Sequence, residues 1–117
     1  MTRVTTGYTR RRRHKSILKD SKGFRGTRRN RFKAAAEAVI KAGAYAYRDR
    51  RVHKREMRRL WIVRINAATR EQGMRYSEFI DGLAKAGVEV NRKLLADLAL
   101  HDPAAFNKFI EVARGAG

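Results

Sequence analysis

A chain of 117 residues holds at most one globular domain with an appended segment. Its 43% hydrophobic content is enough for some core and excludes a wholly disordered chain, and the absence of cysteine excludes a disulfide scaffold, a thiol nucleophile and thiolate zinc sites. With 29 Lys/Arg against 11 Asp/Glu, the net charge of +18 points to a polyanionic partner.

The charge is concentrated at one end. Residues 1–60 hold 21 Lys/Arg and 4 Asp/Glu, a net of +17, whereas residues 61–117 hold 8 and 7, a net of +1. Arginine outnumbers lysine 20 to 9. A guanidinium presents a planar fork of donors that binds phosphate bidentately and stacks on bases, so this bias favours nucleic acid over a merely solvated basic surface.

The first segment, residues 1–26, is basic and interrupted by Gly7, Gly23 and Gly26. Thr9 to Ser21 fits a short helix with almost nothing to bury, which is marginal alone in water. Arg10 to Arg13 are consecutive and would point all round such a helix. Ile17 and Leu18 are too little apolar surface for an amphipathic import peptide.

From Thr27 to about Gln72 there is no proline and one glycine, Gly43, in a background of strong helix formers. Phe32, Ala35, Ala36, Val39, Ile40, Gly43 and Tyr47 follow three-and-four spacing, resumed by Met57, Leu60, Trp61, Ile65 and Ala68. One helix of about 45 residues would be about 67 Å long, more than the diameter of a small domain. In its middle, residues 48–59, basic side chains occupy every face: Arg48, Arg50, Arg51, His53, Lys54, Arg55, Arg58 and Arg59. A surface helix ordinarily keeps one apolar stripe; this stretch is either solvated or surrounded by something anionic.

Beyond Gln72-Gly73, a helix stop, the pattern becomes that of a small helical domain. Ser77 is a candidate cap for a helix to about Ala86, with Phe79, Ile80 and Leu83 on its apolar face and Gly87 ending it. Asn91 caps the next helix, Val90 and Leu95 hold the positions of a hydrophobic staple, and Leu94, Leu95 and Leu98 form its apolar face. Asp102-Pro103 starts a last helix whose Phe106, Phe109, Ile110 and Ala113 face inward. No alternating strand pattern of useful length is present. The reading is therefore all-α: a long basic N-terminal helical arm, residues 1–58, followed by a small helical globular domain, residues 59–117, whose core takes in Trp61, Ile65, Phe79, Ile80, Leu83, Leu95, Leu98, Phe106 and Ile110.

Catalysis finds no support. His14, His53 and His101 lack metal-ligand spacing, and no glycine-rich phosphate loop or nucleophile motif occurs, so no enzyme, metal, cofactor or small-molecule substrate is expected. Residues 77–100 read helix, turn, helix, superficially like a DNA-binding module, but the charge lies on the arm and not on that pair. A membrane-active helix needs a wide apolar face, which residues 48–59 lack, and no membrane partner is expected.

The run Ala-Tyr-Arg-Asp-Arg-Arg (46–51), then Lys-Arg-Glu-Met-Arg-Arg-Leu-Trp-Ile-Val-Arg-Ile-Asn-Ala-Ala (54–68), resembles the bacterial and organellar large-subunit ribosomal protein L-twenty family. So do Tyr-Ser-Glu-Phe-Ile-Asp-Gly-Leu (76–83), Ala-Gly-Val-Glu-Val-Asn-Arg-Lys (86–93), Asp-Pro-Ala-Ala-Phe (102–106) and, at the start, Arg3-Val4, Gly7, the basic cluster 13–15 and Lys22-Gly23-Phe24-Arg25-Gly26. Thr2, Thr5, Thr6 and Met57 depart from the family pattern. The resemblance implies a structural constituent of the large ribosomal subunit, in the cytoplasm or in an organelle. It implies direct binding to ribosomal RNA, a role in early subunit assembly, neighbouring ribosomal proteins as partners and, in some bacteria, repression by binding its own messenger RNA.

On that basis the candidate RNA-binding residues are Arg3; the cluster Arg10, Arg11, Arg12, Arg13, His14 and Lys15; Lys22, Arg25, Arg28, Arg29 and Arg31 around the glycines; and Arg48, Arg50, Arg51, Lys54, Arg55, Arg58 and Arg59 on the all-basic helix. Phe24, Phe32, Tyr45 and Tyr47 are candidates for stacking on unpaired bases, while Trp61 fits the junction core better. Arg92 and Lys93 open the helix capped by Asn91, whose N-terminus favours phosphate. With so little apolar area to bury, residues 1–58 are expected to be largely unfolded without RNA.

Overall fold

A computed structural model describes residues 2–117 and contains five α-helices: α1 (Gly7–Asp20), α2 (Phe32–Glu71), α3 (Tyr76–Lys85), α4 (Arg92–His101) and α5 (Pro103–Gly115). A 3₁₀ turn, Gly26–Arg29, precedes α2, and no strand occurs among the described residues. The chain divides into two compact units, one ending at Arg51 and the other spanning Val52–Gly117. α2 gives its first part to one and its second part to the other.

α2 runs unbroken through Gly43 for 40 residues, about 60 Å at 1.5 Å per residue. It begins later than the composition suggests. The expected start at Thr27 fails because Gly26, with φ of +64°, turns the chain into the 3₁₀ segment. There the Ser21 hydroxyl proton is shared between the carbonyls of Leu18 (3.1 Å) and Arg29 (3.3 Å). The Arg29 carbonyl is thereby drawn toward the end of α1, and the regular ladder starts only with Ala35 donating to Arg31, at 2.8 Å. α1, by contrast, starts earlier than expected, at Gly7 and not Thr9.

The unit ending at Arg51 has little interior. Ser21 and Ala35 are its only buried residues among those described, and α1 buries none. His14, Ile17, Leu18, Phe24 and Phe32 are half-buried, and His14 lies flat on Phe32 with ring centroids 3.7 Å apart at 19°.

The second unit has a continuous core of Ile65, Met74, Phe79, Leu83, Leu95, Ala96, Phe106, Ile110 and Ala113. Phe79 and Phe106 meet at 5.3 Å, tilted by 43°. α5 packs on both α3 and α4. Each helix end is closed by the chain itself. After α2, Met74 N–H reaches back to Thr69 (3.0 Å) and Gly73 to Arg70 (3.0 Å), and the Arg114 guanidinium donates to the Gln72 carbonyl. Gly87 and Val88 close α3 in the same way, with Val88 packed on the core. Asn91 Oδ1 accepts from Leu94 N–H at 2.8 Å, and Asp102 Oδ1 accepts from Ala105 N–H at 3.1 Å ahead of Pro103.

Three expectations are corrected. Ser77 is not the cap of α3: the extended residue is Arg75, and Glu78 accepts its backbone N–H at 3.1 Å. Only this half of a capping box forms, because a guanidinium has no acceptor. Leu94 is exposed, since the first turn of α4 points it away from α5 while Leu95 and Ala96 turn inward. Trp61, Ile80 and Leu98 line the rim of the core half-buried, whereas Met74 and Ala96 fill interior positions that the periodicity did not assign.

Gly82 sets the α3–α5 distance. A Cβ built there would stand 2.5 Å from the Ala113 carbonyl oxygen and 2.9 Å from its Cα, backbone atoms that cannot swing aside. In an open helix, Gly→Ala gains about 1 kcal/mol, but overpacking costs about 1–3 kcal/mol, so the clash decides the sign. Gly82→Ala is therefore expected to lower stability in urea unfolding. Gly43→Ala, with nothing within 4 Å of its Cβ, is expected to raise helix content by circular dichroism. A stabilised Gly82→Ala would contradict this packing. Leu95→Ala should destabilise by about 2–5 kcal/mol, comparable to the whole stability of a unit this size, about 3–10 kcal/mol. A melt superimposing on that of the parent would contradict the core assignment.

Candidate nucleic-acid interface

The unit ending at Arg51 offers charge with little interior behind it. On α1, the consecutive residues Arg10, Arg11, Arg12 and Arg13 are all exposed and step about 100° each, so they cover the whole circumference. Lys15 is exposed beside them. His14 turns inward onto Phe32, so one face of Phe32 is already occupied by protein. Arg3, on the extended stretch ahead of α1, is exposed.

The turn between α1 and α2 depends on Gly23 and Gly26, whose φ values of +84° and +64° lie in the left-handed region that other residues rarely adopt. It carries Lys22, Arg25, Arg28, Arg29 and Arg31 as a row of exposed cations. Beside it runs an open groove of about 610 Å³ between Phe24 and the face of α2 that bears Ala38 and Tyr45. Glu37 and Lys41 also line it. The sequence shows these α2 positions as one helix face but gives no sign of the opposite wall, because which side of α2 the turn lies against is not encoded in a periodicity.

Every residue from Lys41 to Arg51 is exposed, on all sides of α2. Tyr45 and Tyr47 therefore have no protein core to join and instead carry cations on their rings. The Arg48 guanidinium lies 4.8 Å and Lys41 Nζ 5.7 Å from the Tyr45 ring centre, and the Arg51 guanidinium lies 3.7 Å from that of Tyr47. Arg51 also donates to the Tyr47 carbonyl at 3.2 Å. Arg48 Nε donates to Asp49 Oδ1 at 2.9 Å. That hydrogen bond holds the Asp49 carboxyl below its ordinary pKa and Arg48 above its own. Arg50 is exposed without such a partner among the described ion pairs.

In the unit Val52–Gly117, Lys54, Arg55, Arg58 and Arg59 continue the exposed basic helix, with Met57 half-buried between them. Trp61 packs against the core, as its spacing indicates. Arg92 and Lys93 differ. Lys93 is exposed, but Arg92 is half-buried and its Nε donates to the Tyr76 hydroxyl at 2.7 Å, which fixes one edge of the guanidinium. One N–H of the first turn of α4 is already taken by Asn91. No group of three or more metal-binding side chains occurs among the described residues, and no described helix is long and apolar enough to cross a membrane.

The arrangement presents exposed cations along α1, the turn and α2, with aromatic rings among them. Residues 3–109 match the family model described as ribosomal protein L20. A large ribosomal subunit protein bL20 from Thermomicrobium roseum is 59% identical over 116 residues, covering 99% of each chain. One from Parvibaculum lavamentivorans is 57% identical over 116 residues, 99% of this chain and 98% of its own. One from Paracidovorax citrulli is 60% identical over 111 residues, 95% and 92% respectively. These relatives are named for a ribosomal subunit and for no reaction.

Proposed function

The chain belongs to the ribosomal protein L20 family, and from that premise we propose that it is a structural constituent of the large ribosomal subunit that binds ribosomal RNA directly and supports early assembly of the particle. It works in the ribosome, among other ribosomal proteins, and catalyses no reaction. The arm, residues 1–58, is the part that threads RNA; residues 59–117 form the globular part.

One observation carries this reading: a net charge of +17 on residues 1–60 with only Ser21 and Ala35 buried among the described residues before Arg51. A protein surface that needed only solubility would not concentrate charge where there is no core to keep in solution. Folded RNA brings phosphates together at high density, and cations on every side of one helix suit a site enclosed by RNA. The arginines of α1 and α2 supply sequence-independent anchoring, and the aromatic side chains beside them supply contact with unpaired bases. Arg92 and Lys93 add anchoring from the globular part, Arg92 with its guanidinium oriented by Tyr76.

The test is a salt titration. Each phosphate neutralised by a Lys or Arg contributes about −0.7 to −0.9 to the slope of log affinity against log salt. Replacing Arg10, Arg11, Arg12 and Arg13 together by Ala should make the slope of the full chain on a ribosomal RNA fragment shallower by about 3 units. Affinity should fall by similar factors for related and unrelated RNAs. An unchanged slope would remove α1 from the anchoring surface.

A further inference from the structure

The groove beside the Gly23–Gly26 turn has more chemistry than phosphate neutralisation requires. Phosphates need cations, which Arg25, Arg28 and Lys41 provide at its edges. They do not need an apolar lining that includes two aromatic rings, and here Phe24 from the turn joins Ala34, Ala38, Ala42 and Tyr45 of α2 in lining the groove. Nor do they need a carboxylate. Glu37 is the only acidic residue between Asp20 and Asp49. It lines this groove, is exposed, and forms no ion pair among the described residues. An acceptor-only group among these cations repels phosphate and favours a ligand that donates.

We infer that this groove holds one unpaired RNA nucleotide, guanosine by preference, with the base against Phe24 and Tyr45 and its Watson–Crick edge on Glu37. The inference rests on the RNA-binding reading above and deepens it. A planar base flanked by phosphates is the ligand that matches an apolar slot with a cationic rim, and only a nucleotide splayed from its helix presents a free face and a free edge. The volume of about 610 Å³ falls within the range of about 300–1,000 Å³ typical of small-ligand sites. Tyr45 is 45% exposed, so part of its surface is open to a ligand beside Lys41 and Arg48.

Glu37 sets the choice of base. A carboxylate accepts two parallel N–H bonds best, and guanine alone offers two adjacent donors, N1–H and the 2-amino group, on that edge. In adenine and cytosine the amino donor sits beside a ring nitrogen whose lone pair opposes the carboxylate. In uracil the single N–H lies between two carbonyls. Glutamine carries both an acceptor and a donor, so Glu37→Gln should lose the preference without harm to an exposed helix position.

The experiment uses the full chain bound to large-subunit ribosomal RNA. Ultraviolet cross-linking with mass spectrometry identifies the nucleotide joined to Phe24 or Tyr45. Binding is then measured for the parent and Glu37→Gln chains on that RNA and on RNA carrying adenosine at the linked position. The expected link is to an unpaired guanosine. The guanosine-to-adenosine change should weaken the parent about tenfold, the scale of one bidentate base contact, and Glu37→Gln by no more than about twofold. A link to a paired nucleotide or to another base, no link from either ring while the RNA stays bound, or an equal loss in both chains would overturn the inference and leave the RNA-binding reading intact. Failure of the parent chain to bind ribosomal RNA would overturn both.

Discussion

The repulsion among the cations of the first sixty residues decides what this part of the chain can do by itself and divides it from the rest. At physiological ionic strength, charges are screened over about 8 Å, whereas consecutive helical residues rise only 1.5 Å, so each cation of residues 48–59 feels several others. Against this, the described residues before Arg51 bury Ser21 and Ala35. Ordering a backbone residue costs about 1–2 kcal/mol, and burying one large apolar side chain contributes about 1.5–3 kcal/mol. Two small buried residues cannot offset some fifty ordered ones. Helix propensity and the stacking of His14 on Phe32 bias the segment toward its helical form, and counter-charge from another molecule would add the stabilising free energy that burial here does not. Under the proposed function, phosphates in folded RNA would supply it, and the exposure of α2 on every side from Lys41 to Arg51 suits a segment enclosed by such a partner.

The unit Val52–Gly117 is stabilised in the opposite way. With seven acids offsetting eight bases over residues 61–117, it carries almost no net charge. Its stability comes from ordinary burial around Phe79, Phe106, Leu95 and Ile110. Gly82 lets α3 approach Ala113 closely, and caps at Asn91 and Asp102 satisfy the starts of α4 and α5. α2 is shared between the two regimes: its second part contributes Ile65 to this core and packs Trp61 against its rim, while its first part has no comparable interior. The charge division seen in composition is therefore also a division in what stabilises each part.

Most of this organisation was legible in the sequence. The helical class, the caps at Asn91 and Asp102 and the all-round charge of residues 48–59 follow from propensity, spacing and capping chemistry, which are local; whether α2 runs straight through Gly43 or kinks there was not legible, and only the structure shows it unbroken. What escaped is not local. The start of α2 at Phe32 depends on the Ser21 hydroxyl reaching Arg29 across eight residues. The inward turn of His14 depends on Phe32, and the exposure of Leu94 depends on which side of α4 faces α5. The groove with Glu37 needs the turn at Phe24 to lie along α2, and no spacing within either segment encodes that. The expectation of ribosomal RNA came from the family resemblance; charge and arginine bias alone point no further than nucleic acid.

Amide hydrogen exchange of the full chain, alone and bound to large-subunit ribosomal RNA, tests the central claim that RNA supplies the free energy that orders the arm. In the free protein, amides of α1 and of α2 up to Arg51 should exchange close to the rate of an unstructured chain, while those of Ile65, Phe79, Leu95 and Ile110 are protected. On binding, protection should appear throughout the first set and change little in the second. Equal protection of both sets in the free protein would contradict the account.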